Sequence, residues 1–221
     1  LIEEKEIDAY LETVRKDGAP YFKIHPRTED RPYYIIKYIE PIHLNEAAVG
    51  LNIGFEDNRQ EAADLARDSG KSAITKRIIL VQDEEQTPGF LLLHPLYDQS
   101  KPVNTIQERQ EAFLGWVYAP FIAKNFLHDL TNSQKNSLHL EVFDGHGRNA
   151  DKVIYDDDNT ESYSENTAPL YTIEKQVNVM QQTWTLVWKS TKSFELENEK
   201  SQPTYILFGG VIFTGIFGLF L

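Results

Sequence analysis

Six histidines, a run of three aspartates and a Gly-Lys-Ser triplet are the residues of this chain whose chemistry invites a test first. His25, His43, His94, His128, His139 and His146 show none of the close pairings by which histidines ligate a metal, so each reads as a surface or packing residue. Asp156-Asp157-Asp158 lacks the glycine and terminal glutamate of a calcium loop and reads as a solvated turn. Gly70-Lys71-Ser72 resembles the tail of a phosphate-binding loop. Such a loop needs a glycine five residues earlier, and Leu65 stands there. No Gly-x-Ser-x-Gly elbow occurs. With no cysteine there is no disulfide, thiolate metal site or thiol nucleophile. The motifs therefore assign no catalytic residue, no metal and no cofactor; only a site assembled from distant residues would escape them.

Bulk properties narrow the field further. A formal net charge of −12 leaves no basic stripe to displace counterions from phosphates, which excludes nucleic acid as a partner. At 221 residues, 41% hydrophobic and 25% charged, the chain has room for one large domain or two small ones with proper cores. No Asn-x-Ser/Thr sequon is present, which disfavours a glycosylated ectodomain.

The elements that would position a site follow from periodicity. Ile7, Tyr10, Leu11 and Val14 form one apolar stripe, so Leu1–Asp17 reads as the last turns of a helix, closed by Gly18. Tyr21–His25 and Tyr33–Glu40 read as strands around the proline-punctuated loop Pro26–Pro32. Asp57 stands at an N-cap position with Gln60 three residues on, and Ala62, Ala63, Leu65 and Ala66 give a helix face that ends at Gly70. Ala73–Val81, Phe90–Tyr97 and Phe113–Phe121 read as strands, and Ala123–Leu130 as a short helix. Leu138–Phe143, Val153–Tyr155, Leu170–Val179 and Thr183–Lys189 complete a second set of strands, the last alternating Trp184, Leu186, Trp188 against Thr185, Val187, Lys189.

Tyr205–Leu221 contains 17 residues without a charge, at the short end of the ~17–25 that span a bilayer. Gly210, Thr214 and Gly218 share one face of such a helix, as in helix pairs that pack closely in lipid. A membrane anchor is expected here, with residues 195–204 as its polar connector.

Five pieces carry a family resemblance: Tyr-Ile-Glu-Pro (38–41), Ala-Arg-Asp-Ser-Gly (66–70), Ile-Ile-Leu-Val-Gln (78–82), Gly-Phe-Leu-Leu-Leu-His-Pro-Leu-Tyr (89–97) and Gly-Trp-Val-Tyr-Ala-Pro-Phe (115–121). In this order and spacing they resemble a CHASE domain, the extracytoplasmic sensor module of receptor histidine kinases, diguanylate cyclases and phosphodiesterases. The resemblance implies an α+β fold: the end of a stalk helix (residues 1–18), a membrane-distal PAS-like subdomain (19–122), a membrane-proximal PAS-like subdomain (123–194), then the connector and the transmembrane helix (205–221). It further implies a first membrane helix before Leu1, a kinase or cyclic-di-GMP output domain after Leu221, a homodimer, and a periplasmic location at the inner membrane. This portion would itself be no enzyme.

The family's distal subdomain binds small organic ligands. In its plant cytokinin receptors the pocket uses an acidic residue before the helix and a threonine on each of two adjacent strands. Carried over, these positions are Asp57, Thr75 and Leu93, and leucine at the last removes a hydroxyl that an adenine-type ligand would use. Strand alternation extends the set to Arg77 and Ile79, to Leu91, and to Phe113, Gly115 and Val117. An inward Arg77 would need an anion, either Asp57 or a ligand carboxylate or phosphate; otherwise it is solvated. The apolar members serve a plain core equally well. The alternative function is a structural or protein-interaction ectodomain without a small ligand.

Overall fold

The computed structural model describes residues 1–29, 31–81, 83, 85–131, 137–157 and 168–197. Tyr205–Leu221 and most of its connector lie outside the described residues, and no helix among the described ones is long and apolar enough to cross a membrane. The described chain is an α+β structure of α-helices packed with two antiparallel four-stranded sheets.

The first helix, α1 (Ile7–Lys16), buries Ile7, Leu11 and Val14 against Phe22, Ile24 and Tyr33. Gly18 follows its C-cap with φ +95°, the left-handed conformation that ends a helix. The helix is shorter than Leu1–Asp17. Its lead-in is a 3-10 turn, Glu4–Glu6, and Ile2 bridges Tyr33 instead, with backbone bonds of 2.9 and 2.8 Å.

Tyr21–His25 and Tyr33–Glu40 do not form a ladder. They are extended segments joined to Leu51, Asn52 and Ile2 only by isolated bridges. Phe22, Ile24, Tyr33, Tyr34 and Ile36 answer burial rather than pairing, since β-propensity measures fit to a half-buried surface, while Tyr21 and Tyr38 stay exposed. Buried Asn52 holds them in place: its Oδ1 accepts from Tyr34 N at 2.9 Å and from Gly54 N at 3.2 Å. Gly50 has φ +79°, and a Cβ there would stand 1.9 Å from the Lys23 carbonyl oxygen, so no other residue fits.

Helix α2 (Asp57–Ser69) buries Ala62, Ala63 and Ala66 completely and ends at left-handed Gly70. Its N-cap is Glu56, so Asp57 is the first helical residue and not the cap. An acid in the first turn still favours the helix dipole. After α2 come β1 (Ala73–Ile74), β2 (Ile78–Ile79), β3 (Pro88–Tyr97), α3 (Ile106–Ala112) and β4 (Phe113–Ile122). Both short strands share one edge of β3, and β4 takes the other. The single strand expected over Ala73–Val81 is thus broken. At the break the Thr75 N–H donates to Leu91 O at 2.9 Å, and Thr75 Oγ1 accepts from Leu91 N at 3.0 Å in place of a backbone carbonyl.

This sheet is a wall between two cores. Leu91 and Leu93 face Tyr34, Ile36, Leu51, Ile53 and the alanines of α2. From the opposite face Ile74 and Phe90, with Leu92 and Phe121 packed alongside, enter a second core. That core continues into α4 (Ala123–Thr131) and the second sheet, which comprises β5 (Leu138–Asp144), β6 (Val153–Asp156), β7 (Thr172–Val179) and β8 (Gln182–Ser190) in the order β6-β5-β8-β7. Phe90 is the junction, stacked on Phe121 at 5.2 Å and edge-on to Trp184 at 5.3 Å between ring centroids.

Candidate functional site

One edge of β4 pairs with β3, and its other side looks onto the extended segment Tyr34–Glu40. Between them lies a cleft of about 730 Å³, a size suited to a small organic molecule. Its walls are mainly aromatic and aliphatic: Tyr34, Ile36 and Tyr38 on one side, Leu93, Trp116 and Tyr118 on the other. Among the described residues, Lys37 and Glu40 carry the only charged side chains in its lining.

A bulge decides which β4 residues face inward. Leu96 pairs with Gly115 but Tyr97 pairs with Phe113, so Leu114 is an extra residue and the alternation shifts by one. Trp116, Tyr118 and Pro120 therefore stand opposite Pro95, Leu93 and Leu91 on the core face. Gly115 and Val117 lie on the other face, where Val117 is exposed.

The polar groups of the cleft differ in one respect. Trp116 Nε1 donates to Ala63 O at 2.9 Å, and Tyr34 Oη donates to Asp64 Oδ1 at 2.7 Å. Burial, with the Asp64 carboxylate as hydrogen-bond partner, pushes the Tyr34 hydroxyl far above the usual tyrosine range. Tyr118 has no such anchor. Among the described residues its hydroxyl is the only buried side-chain polar atom without a hydrogen-bond partner, and burial alone drives its pKa far upward. A neutral buried hydroxyl donates strongly, and leaving it unpaired costs free energy.

The residues expected to form the pocket scatter. Leu93, Gly115 and Val117 reach the cleft, the latter two along its rim. Leu91 is buried in the adjoining core, and Phe113 leans edge-on against Trp116 at 4.5 Å between ring centroids. Thr75 is fully buried with its hydroxyl spent on Leu91. The carbonyl of Ile79 accepts from the buried Arg59 guanidinium at 2.7 Å. Asp57 is on the surface, 2.8 Å from Arg31. Arg77 leaves the first core altogether, because the break after β1 turns it toward the second sheet, where Nε donates to Val153 O at 2.8 Å. Strand alternation missed Trp116 and Tyr118 because it presumed an unbulged β4, and Tyr34, Ile36 and Tyr38 because they stand on the unpaired segment before α2.

A second cluster is also better defined than the sequence implied. His139 is held between Asp156, at 3.0 Å from Nε2, and Asp157, which meets Nδ1. These groups are close enough to ligate a metal. With a carboxylate on each ring nitrogen, however, the geometry is that of an imidazolium between two anions. Burial alone would lower the His139 pKa, but hydrogen bonds to Asp156 and Asp157 and their charges raise it to about 10. Asp156 and Asp157 are thus not merely solvated; Asp157 also accepts from Leu140 N at 2.9 Å, stitching the end of β6 to β5.

No curated protein matches the chain. The family model described as CHASE domain matches residues 1–155, which take in α1, the whole first sheet and the first strands of the second. This match covers well over half of the sequence, and the chain belongs to the CHASE domain family.

Proposed function

We propose that this chain is the ligand-sensing ectodomain of a transmembrane receptor, and that the cleft between Tyr34–Glu40 and β4 is where the ligand binds. CHASE is a sensor module outside the cytoplasm, not a catalytic one. On this reading the two sheets are the cores of two PAS-like lobes, Tyr205–Leu221 anchors the chain in the inner membrane, and Gly210, Thr214 and Gly218 bring two copies together. The output would be a cytoplasmic kinase or cyclic-di-GMP enzyme beyond the anchor.

The observation that carries the binding site is the unpaired Tyr118 hydroxyl in an aromatic cleft. It selects a molecule with an apolar, flat body and a hydrogen-bond acceptor that reaches Tyr118. Arg77 is engaged elsewhere, so among the described lining residues Lys37 carries the one cationic side chain that could meet a carboxylate or phosphate. A thermal-shift screen of small metabolites tests this. A compound at 100 times its dissociation constant adds ~2.7 kcal/mol of stability. Tyr118→Phe, which deletes one hydrogen bond, weakens that compound by about three- to tenfold. An unchanged dose response in Tyr118→Phe, or a broad screen without any shift, contradicts the reading.

The exposed apolar side chains Tyr38, Ile42 and Leu44 beside the cleft favour a second reading, a contact surface for a protein partner. A screen without hits, together with partner capture lost on Ile42→Asp with Leu44→Asp, would support it.

A further inference from the structure

The tip of the β7–β8 hairpin is a two-residue turn whose residues are unsuited to it. Met180 and Gln181 have φ of +44° and +72°, the left-handed geometry that such turns normally give to Asn-Gly. Side chains with a Cβ are strained there, and strain of this kind persists only where surrounding contacts hold it. Here the contacts come from the first lobe. Gln181 Nε2 donates to Ser69 Oγ at 3.1 Å and to Ser72 O at 2.9 Å, at the end of α2. Ile74 N of β1 donates to Met180 O at 3.3 Å. A few residues on, at the break between β1 and β2, Arg77 N donates to Asp144 Oδ2 at 2.9 Å and Arg77 Nε to Val153 O. Asp144 is itself buried at the end of β5.

We infer that the strained hairpin tip and the Arg77 break form a two-point latch, which makes the cleft's sheet and the second sheet open as one unit. Its role as a signalling device rests on the sensor reading above; its mechanics do not. The sheet that walls the cleft with Leu93 and Tyr118 is the one that sends Ile74 and Phe90 into the second core. A shift of that wall is therefore carried to β5, β6 and β8 through fixed hydrogen bonds as well as through packing. Asn178 Oδ1 accepts from Gln181 N within the hairpin at 3.3 Å, and the contacts to Ser69, Ser72 and Ile74 add the hold from the first lobe; releasing those lets the tip relax on its own strands. That gives the latch two states.

Native-state hydrogen exchange of the full chain over a urea series tests this without any compound, so its failure is distinct from failure of the sensor reading. In the wild type, the slowest amides of β3 and β8 are expected to share one opening with one urea dependence. In Met180→Asn with Gln181→Gly the turn gains its preferred residues, so the hairpin folds, but the bonds to Ser69 and Ser72 are gone. The two sets of amides should then part by ~tenfold in exchange rate. Arg77→Ala, read at the same amides, should part them likewise. Separate openings in the wild type, or a shared opening that survives both variants, would overturn the latch.

Discussion

Tyr118 and His139 show how residues of similar polarity take opposite roles according to their partners. The Tyr118 hydroxyl is buried without a partner, so Tyr118→Phe should leave the ligand-free protein more stable by about 1 kcal/mol while weakening binding. A structural tyrosine would lose stability instead. His139 is saturated with partners. Its pKa rises on folding from 6.5 to about 10 through Asp156 and Asp157. A raised folded-state pKa means stability that is complete below the unfolded value and is lost as pH climbs through the folded one. Urea midpoints should therefore fall between pH 6.5 and pH 10. His139→Gln should flatten that fall, and an equally steep fall in the variant would show that other groups cause it.

Among the elements, the helices and the second sheet were legible because their periodicity is local. Ile7, Leu11 and Val14 bury one stripe of α1, and Trp184, Leu186 and Trp188 share one face of β8 as their alternation requires. Helix α3 was also within reach: Thr105-Ile106-Gln107-Glu108 closes a capping box in which each side chain accepts from the other's backbone, at 3.2 and 2.9 Å. What alternation could not show was any departure from regular pairing. The extra residue Leu114, the break at Thr75 and the unpaired segment Tyr33–Glu40 are set by tertiary contacts, and each one turned an expected residue away from the cleft or brought an unexpected one into its lining. The resemblance pointed to the sheet that borders the cleft; local irregularities decide which of its side chains line it. Glycines test the extended segments directly. Gly18→Ala meets nothing within 4 Å and should cost only the ~1 kcal/mol of a left-handed alanine. Gly50→Ala meets the Lys23 carbonyl at 1.9 Å and should cost at least ~2 kcal/mol more, or fail to fold. Equal urea midpoints for the two variants would refute the close packing of the Phe22–Lys23 strip on Gly50.

At the scale of the whole molecule, the first sheet sends side chains into a core on each of its faces. Leu91 and Leu93 serve the cleft side, and Phe90 and Ile74 serve the other. A ligand pressing on Tyr118 and Leu93 thus acts on a strand whose alternate residues touch Trp184. This continuity links the cleft wall physically to the second sheet. The second sheet has an apolar groove of its own, about 600 Å³ between α4 and Trp184, Leu186 and Trp188, lined among the described residues by aliphatic side chains, Phe126 and the two tryptophans. A greasy compound has two places to go, and where it goes decides the account. The most direct measurement is hydrogen exchange of the full chain over a dose series of a compound that raises its melting temperature. Protection at Tyr34–Ile39 and along β4, shifted to about three- to tenfold higher concentration in Tyr118→Phe, is the predicted result. Protection confined to α4 and β8, with Tyr34–Ile39 and β4 unaltered, would contradict it.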